Sequence, residues 1–368
     1  MKPLFSIILA GYQTEPYLQK ALDSIANQTF RDFEAICYVE ESTDRSLEIC
    51  QAMAKQDPRF KVGTGPKSGS AGATRNYGID HASGKYLVVI DGDDWLAEDM
   101  LEKLADKLKQ TGPLDVLAFA AVSTKSDEVD LEHAKRITNF SSADANDVFT
   151  GLDAVRRMEK IVWNQNFFNG YTWLNIYRIA FLREHRLYQR SGIMEDFELT
   201  PRIWYQAKRM AYLDAPLYVY RRRPQSLSAP NNSRLMHDMA DQARSLFTFA
   251  AATPIPDDVL SIWSNQWISM LYLFLFYPAN TTHSAADSKI ELKKALNILF
   301  AEDGLSHFMY VLSHASRMKQ LTKPMILLAA KGWLSPALFF FHRIYYPVSN
   351  RRWQKKSRDS SVPKENVS

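Results

Sequence analysis

Five short segments carry side chains able to do chemistry together. Asp91-Gly92-Asp93-Asp94 follows the apolar run Tyr86–Ile90. Carboxylates leaving one strand end in a tight turn can hold a hard divalent cation, magnesium or manganese, which keeps several waters and bridges substrate phosphates. Such an ion offsets the negative charge that builds on a departing diphosphate. A structural alternative makes Asp94 the N-cap of a helix opening at Trp95, with Glu98 and Asp99 favouring its dipole. That alternative accounts for Asp94 and leaves Asp91 and Asp93 unexplained.

Glu40-Glu41 ends a second apolar run, Phe33–Val39, where an acid can accept hydrogen bonds from a ribose or a base N–H; Asp44, just beyond, reads as a helix cap. The segment from Gly69 to Asn76 opens a helix behind glycines, which suits close approach of backbone to an anion, with Arg75 as a phosphate or base contact. A plain turn is the alternative, because the glycine spacing fits neither a dinucleotide fingerprint nor a P-loop. Glu195-Asp196 stands before an apolar helix and can supply the carboxylate that takes a proton from an attacking hydroxyl; acids at helix starts are also common without any catalytic role. Arg221, Arg222 and Arg223, with Gln225, Ser226 and Ser228 beyond them, can clamp a diphosphate or stay solvated.

The elements that must position these groups follow from hydrophobic periodicity. Strands are predicted at Leu4–Ala10, Phe33–Val39, Phe60–Val62, Tyr86–Ile90 and Val116–Ala121, and helices at Glu15–Asn27, Ser46–Lys55, after the loop Gly63–Gly72, and from Trp95 to Gln110. That alternation describes βαβ units around a mainly parallel sheet, whose ligands bind at the carboxyl ends of the strands. Farther on, Ser123–Asp147 reads as an excursion, Gly151–Val162, Ile179–Arg186 and Leu199–Ala207 as helices, and Leu217–Tyr220 as a short strand. The stretch holding Tyr171, Trp173 and Tyr177 reads as a link. The expected organisation is a catalytic domain over residues 1–230 (donor side to about 115, acceptor side beyond), a helical region over 231–356 and a disordered tail over 357–368.

Composition narrows the function. With 46% hydrophobic and 23% charged residues, the chain is neither disordered nor polytopic. A net charge of +4 without a clustered basic module gives no reason to expect nucleic-acid binding. Cys37 and Cys50 lack zinc spacing or a C-x-x-C pair, so they are expected to be core residues in a reducing compartment.

In order, these pieces resemble glycosyltransferase family 2, the inverting enzymes of GT-A type that build bacterial surface polysaccharides. The resemblance runs from Pro3 to Ser228 through Phe5-Ser6-Ile7-Ile8 and Tyr12, Asn27-Gln28-Thr29-Phe30, Ser42-Thr43-Asp44, Ala73-Thr74-Arg75-Asn76, Asp91-Gly92-Asp93-Asp94-Trp95, Trp173 with Tyr177-Arg178, Glu195-Asp196 and the region after Tyr220. It implies a Rossmann-like α/β nucleotide-diphospho-sugar transferase fold with a helical C-terminal extension. It also implies a nucleoside-diphosphate sugar donor, UDP-linked, and a glycan or lipid-linked acceptor. Tyr12, Glu40 or Glu41, Arg75, Asp91, Arg221 and Arg223 would contact the nucleotide sugar; Asp91 and Asp93 would hold the metal. Asp196 would be the base, with Glu195 beside it. Two departures touch the nucleoside pocket: Glu40-Glu41 replaces the usual Asp-Asp-Gly, and Gln13 the usual Asn.

Beyond Asn231 the pattern is helical. The apolar, aromatic run Met325–Tyr346, with Phe339-Phe340-Phe341 and then Arg343, Arg351, Arg352, Lys355 and Lys356, suits either an interfacial helix on an anionic membrane or a helix packed on the catalytic domain or a second copy in a homo-oligomer. The expectation is a cytoplasmic enzyme, free or peripheral on the membrane's cytoplasmic face. Two competing readings are a nucleotidyltransferase, which would need a basic Gly-rich loop after the first strand where Ala10-Gly11-Tyr12-Gln13 stands, and a catalytically silent relative acting as a scaffold.

Overall fold

The computed structural model describes residues 2–165, 170–223, 234–276, 285–320, 322–331 and 333, within two compact units: residues 1–158 with 169–229, and residues 159–168 with 230–368. In the first unit β1 (Phe5–Gly11), α1 (Glu15–Ala26), β2 (Phe33–Glu40), α2 (Ser46–Gln56), β3 (Phe60–Gly65), α3 (Ala71–His81) and β4 (Tyr86–Asp91) alternate. They are followed by β5 (Trp95–Leu96), α4 (Met100–Thr111), β6 (Val116–Thr124), β7 (Arg136–Ile137), β8 (Val148–Phe149), α5 (Gly151–Gln165, counted with the second unit from residue 159), β9 (Asn175–Arg178), α6 (Ile179–Glu184), α7 (Glu195–Gln206) and β10 (Met210–Arg221).

One sheet runs in the order β3-β2-β1-β4-β9-β6-β10-β5, with β7 beside β6 and β8 beside β10. The first four strands are parallel, and so are β6 and β10. Phe5, Ile7, Ile8 and Leu9 are wholly buried, the unbroken apolar run expected of a parallel strand covered on both faces. Around it α1 buries Leu18, Ala21, Leu22 and Ile25, and α4 buries Met100, Leu101, Leu104, Ala105 and Leu108. Each of the Leu, Ile and Met side chains among these contributes about 1.5–3 kcal/mol by leaving water.

Near the start of the same strands, Glu34 on β2 is buried and saturated. It accepts hydrogen bonds from Ser6 Oγ (2.6 Å), Ser83 N and Oγ (2.6 and 2.8 Å) and Gly84 N (3.2 Å), and pairs with Lys61 Nζ at 2.6 Å. Burial works against its charge, yet Lys61 and the serine donors outweigh it and hold the carboxyl down at about 2.

Several predicted boundaries are corrected. Trp95 does not open a helix: Trp95-Leu96 pairs antiparallel with Val219 and Tyr218 of β10, and α4 starts at Met100. The indole, with Val122 and Val219, is worth more against the sheet than in a solvated first turn. Asp94 is accordingly no helix cap. Its Oδ2 accepts from the Tyr218 hydroxyl at 2.5 Å and its Oδ1 from the Arg221 amide at 2.7 Å, fastening the acidic turn to β10. The glycine loop is shorter than expected, because Gly63 and Gly65 belong to β3 opposite Tyr38 and Glu40. The aromatic link contains β9, antiparallel to both β4 and β6, so it joins the two parallel halves of the sheet. Helix α7 begins at Glu195, four residues before the predicted Leu199, which places both acids in its first turn.

The second unit consists, among its described residues beyond 230, of α8 (Leu235–Ala252), α9 (Asp257–Phe276), α10 (Ala285–Leu299), α11 (Gly304–His314), α12 (Arg317–Gln320) and α13 (Lys323–Ala330). Trp263 and Trp267, stacked at 5.4 Å, are buried with Phe247 and Phe308, so these aromatics belong to a core. Among the described residues no helix is long and apolar enough to cross a membrane. Trp333 is 63% exposed. Residues 334–368, which include the Phe339–Phe341 triplet, the basic residues after it and the predicted tail, lie outside the described residues, as do Gln225, Ser226 and Ser228.

Candidate active site

The carboxyl ends of β1, β2 and β4 deliver Tyr12, Glu40 with Glu41, and Asp91 to one edge of the sheet. Glu40 is buried and accepts from Ser68 N at 3.0 Å and from the Ser68 hydroxyl, which ties β2 to the loop before α3. Glu41 is exposed. The ring of Tyr12 carries Lys67 Nζ 4.6 Å from its centroid. Next to it, Gln13 takes a left-handed backbone conformation (φ 49°). Asn tolerates that region better than Gln does, which gives the departure at this position a conformational cost.

Arg75, on α3, is the hub of the site, with a side chain only 5% exposed. Its Nη2 meets Asp91 Oδ1 at 3.2 Å; its Nη1 meets Glu195 Oε1 at 2.9 Å and Asp196 Oδ1 at 2.8 Å. One positive charge thus faces three carboxylates drawn from β4 and α7. Burial opposes the charge on Arg75, but Asp196, Asp91 and Glu195 outweigh it and hold the guanidinium above its ordinary range. On the acids the balance is reversed. Burial raises Glu195 and Asp196, and Arg75 offsets this only in part.

Local conformation explains how the acids arrive there. Gly192 (φ 106°) and Met194 (φ 66°) take left-handed conformations just before α7, a strained turn of the kind that clusters at functional sites. The helix then presents Glu195 and Asp196 in its first turn, where the dipole favours negative charge. On the opposite wall Gly72 allows α3 to approach this segment: a Cβ there would lie 2.8 Å from the Arg190 carbonyl oxygen.

The acidic turn is built around Gly92, where a Cβ would lie 2.9 Å from the Ala10 carbonyl oxygen. Asp93 Oδ2 lies 2.5 Å from Arg223 Nε. Burial raises the Asp93 carboxyl, Arg223 opposes it, and Asp91 adds to the rise; burial with Asp93 and Asp91 likewise pushes Asp94 well up. Arg221 stands behind the turn. Its Nε donates to the Asp93 carbonyl at 2.9 Å, Nη2 reaches Asp127 Oδ1 at 2.5 Å, and the guanidinium lies 4.8 Å from the rings of both Tyr17 and Trp95. Arg221, expected at the diphosphate, is therefore engaged in holding the turn. Asp91 and Asp93 fit a hard divalent cation in donor type and in surplus negative charge. Among the described residues they are not joined by a third ligand side chain.

The structure thus brings Arg75, Asp91, Glu195 and Asp196 into direct contact and places Arg223 on Asp93. The roles that the sequence does not give are those of Tyr218, which lies in the segment before the arginines, and of Thr172 and Gln189. Thr172 opens a single 3-10 turn and Gln189 sits in an irregular segment, and neither carries a periodicity that marks it.

Fold and site together define an α/β nucleotide-sugar transferase architecture. Residues 6–185 match the model of Glycosyl transferase family 2, so this segment is a domain of that family. It is 30% identical over 236 residues to the Uncharacterized glycosyltransferase EpsJ of Bacillus subtilis (strain 168), spanning 62% of this chain and 64% of that protein. It is also 30% identical over 227 residues to the Putative glycosyltransferase EpsH of the same organism, spanning 60% and 61%. Both matches cover less than two thirds of the relative's length. The crystal structure of S. aureus TarS 1-349 in complex with UDP-GlcNAc shares the fold, with a TM-score of 0.69 at 19% identity over 96% of this chain and 92% of that one.

Proposed function

We propose that this protein is an inverting, metal-dependent glycosyltransferase that moves a hexosyl or N-acetylhexosaminyl group from a UDP-sugar to a hydroxyl of a glycan or lipid-linked acceptor in surface polysaccharide synthesis. The observation that carries the reading is that a single guanidinium, Arg75, touches both the end of the acidic turn at Asp91 and the candidate base Asp196. In this reading leaving-group chemistry and proton abstraction lie side by side. The UDP-GlcNAc bound by TarS, a protein of the same fold, supports the choice of donor class.

In this reading Tyr12, Glu40 or Glu41, and Arg75 face the nucleotide, while Arg223 turns from Asp93 to the diphosphate as donor binds. Arg221 keeps the turn in place. Asp91 and Asp93 would hold magnesium or manganese, whose chemistry is neutralisation of charge on the departing diphosphate oxygen. Asp196 accepts the acceptor's hydroxyl proton as that oxygen bonds to the anomeric carbon from the far side; the bond from this carbon to the diphosphate breaks, and its electron pair leaves with the nucleoside diphosphate.

The test is nucleoside diphosphate release from a panel of UDP-, GDP- and dTDP-sugars with manganese or magnesium, with and without chelator, beside Asp93→Ala. Turnover of one donor that needs metal and falls at least about 100-fold in the variant supports the reading. Silence towards every donor, with lipid-linked acceptors present, favours a scaffold relative.

A further inference from the structure

Asp196 is held unevenly, and the unevenness has chemical content. Its Oδ1 accepts three hydrogen bonds: from Arg75 Nη1 at 2.8 Å, from Thr172 Oγ1 at 3.0 Å and from Gln189 Nε2 at 3.0 Å. Its Oδ2 accepts, among the described residues, only the Thr172 amide at 3.3 Å. A carboxylate oxygen offers about two lone-pair sites, so Oδ1 is filled while Oδ2 keeps room for a further donor.

The donors are themselves fixed. Gln189 Oε1 lies 3.5 Å from Arg75 Nη1, and Gln189 Nε2 lies 3.4 Å from Thr172 Oγ1, so the amide has its NH2 toward Asp196 and its carbonyl toward the arginine. The opposite flip would set oxygen against carboxylate. The Gln189 backbone is clasped by Asn76, whose Oδ1 accepts the Gln189 N–H and whose Nδ2 donates to the Gln189 carbonyl, each at 2.8 Å. Thr172 is held by the buried Tyr177 hydroxyl, which donates to its carbonyl at 2.9 Å. The next residue, Trp173, stacks between Tyr171 at 4.7 Å and Tyr218 at 4.6 Å.

We propose that Thr172 and Gln189 are positioning residues for glycosyl transfer: they fill Oδ1 of Asp196 and so leave Oδ2 as the oxygen that receives the acceptor's hydroxyl proton. The assignment rests on the glycosyltransferase reading above. Neither residue touches the reacting atoms. Their effect is to fix which oxygen, and which of its lone pairs, faces the attacking hydroxyl, and a base held in one orientation pays no reorganisation as the transition state forms.

The experiment compares kcat and donor KM, from nucleoside diphosphate release, together with Tm, for the full chain and for Asp196→Asn, Thr172→Val, Thr172→Ser and Gln189→Met. A hydrogen bond to a charged acceptor sets the scale: Thr172→Val and Gln189→Met are expected to lower kcat by roughly 10- to 100-fold each while leaving donor KM unchanged. Thr172→Ser, which keeps the hydroxyl, restores most of the loss, and this separates positioning from packing even if the valine variant melts early. If Asp196→Asn is inactive but Thr172→Val and Gln189→Met keep kcat within about twofold of wild type, or if serine at 172 is as damaging as valine, the assignment is overturned. A wild-type protein that turns over no donor removes the glycosyltransferase reading itself and this assignment with it, which is a different result from an active wild type with indifferent variants.

Discussion

Near the amino ends of β1 and β2, a single carboxylate, Glu34, is surrounded by serine, backbone and lysine donors; at the carboxyl edge of the same sheet a single arginine serves Asp91, Glu195 and Asp196. The first group is held well below the ordinary carboxylate range, whereas Glu195 and Asp196 are held above it. Both places are shielded from water, Glu195 and Asp196 the more deeply, so burial is part of the difference. The other part is the ratio of donors to charges. A saturated acid serves as a strut between strands, while an under-compensated set of acids remains available to cations, protons and substrate, which is how perturbed groups mark functional sites.

Replacing the hub would test the comparison hardest. Arg75→Met leaves three carboxylates, Glu195 buried and Asp91 and Asp196 partly so, without their cation and is expected to cost about 3–5 kcal/mol in urea unfolding at neutral pH. Part of this should return on acidification, as the carboxylates take up protons; a variant as stable as wild type at neutral pH would show that the arginine is not what holds the acids together. Glu34→Gln removes charge from the saturated end and is expected to cost about 1.5–3 kcal/mol with turnover unchanged. Equal damage to turnover would mean that the two ends are not independent.

The smallest effect is on the pH profile of stability, and its sign differs between the ends. Glu34, lowered in the folded state, contributes stability that is complete above its ordinary value of 4.5 and is lost as pH falls toward about 2. Glu195 and Asp196, raised in the folded state, cost stability once they ionise, so their contribution worsens as pH rises through the raised values. Urea midpoints measured across pH should therefore show Glu34→Gln flattening the acid limb and Asp196→Asn the alkaline one. A flattening of the same limb by both variants would contradict the assignment.

Much of the first half of the sheet was legible in the sequence because its signals are local. Apolar runs of strand length end directly in Glu40 and in Asp91, and parallel strands put such ends on one edge without further information. The acidic turn was legible for the same reason, but Trp95 misled: after four acidic or glycine residues an indole followed by Leu96 reads as a helix start, and only the distant Tyr218-Val219 pair reveals a strand. In the same way β9, four residues long, shows no period of its own and exists because β4 and β6 both lack a partner there. The roles of Thr172, Gln189 and Tyr218 are not legible because they are defined by Asp196 and Asp94, to which no helical or strand period links them. The sequence marks the acids themselves; it does not mark the neutral donors that orient them.

The position of β9 also governs when the site comes into being. The strands β1 to β4 pair with one another from the first ninety or so residues, and a chain emerging from the ribosome folds its leading part first. Strand β9 closes Tyr86 against Arg178 only after that long stretch has been made, and Glu195 and Asp196 follow it in order of synthesis. In order of synthesis the four parallel strands thus precede the carboxylates of α7 that share Arg75 with Asp91.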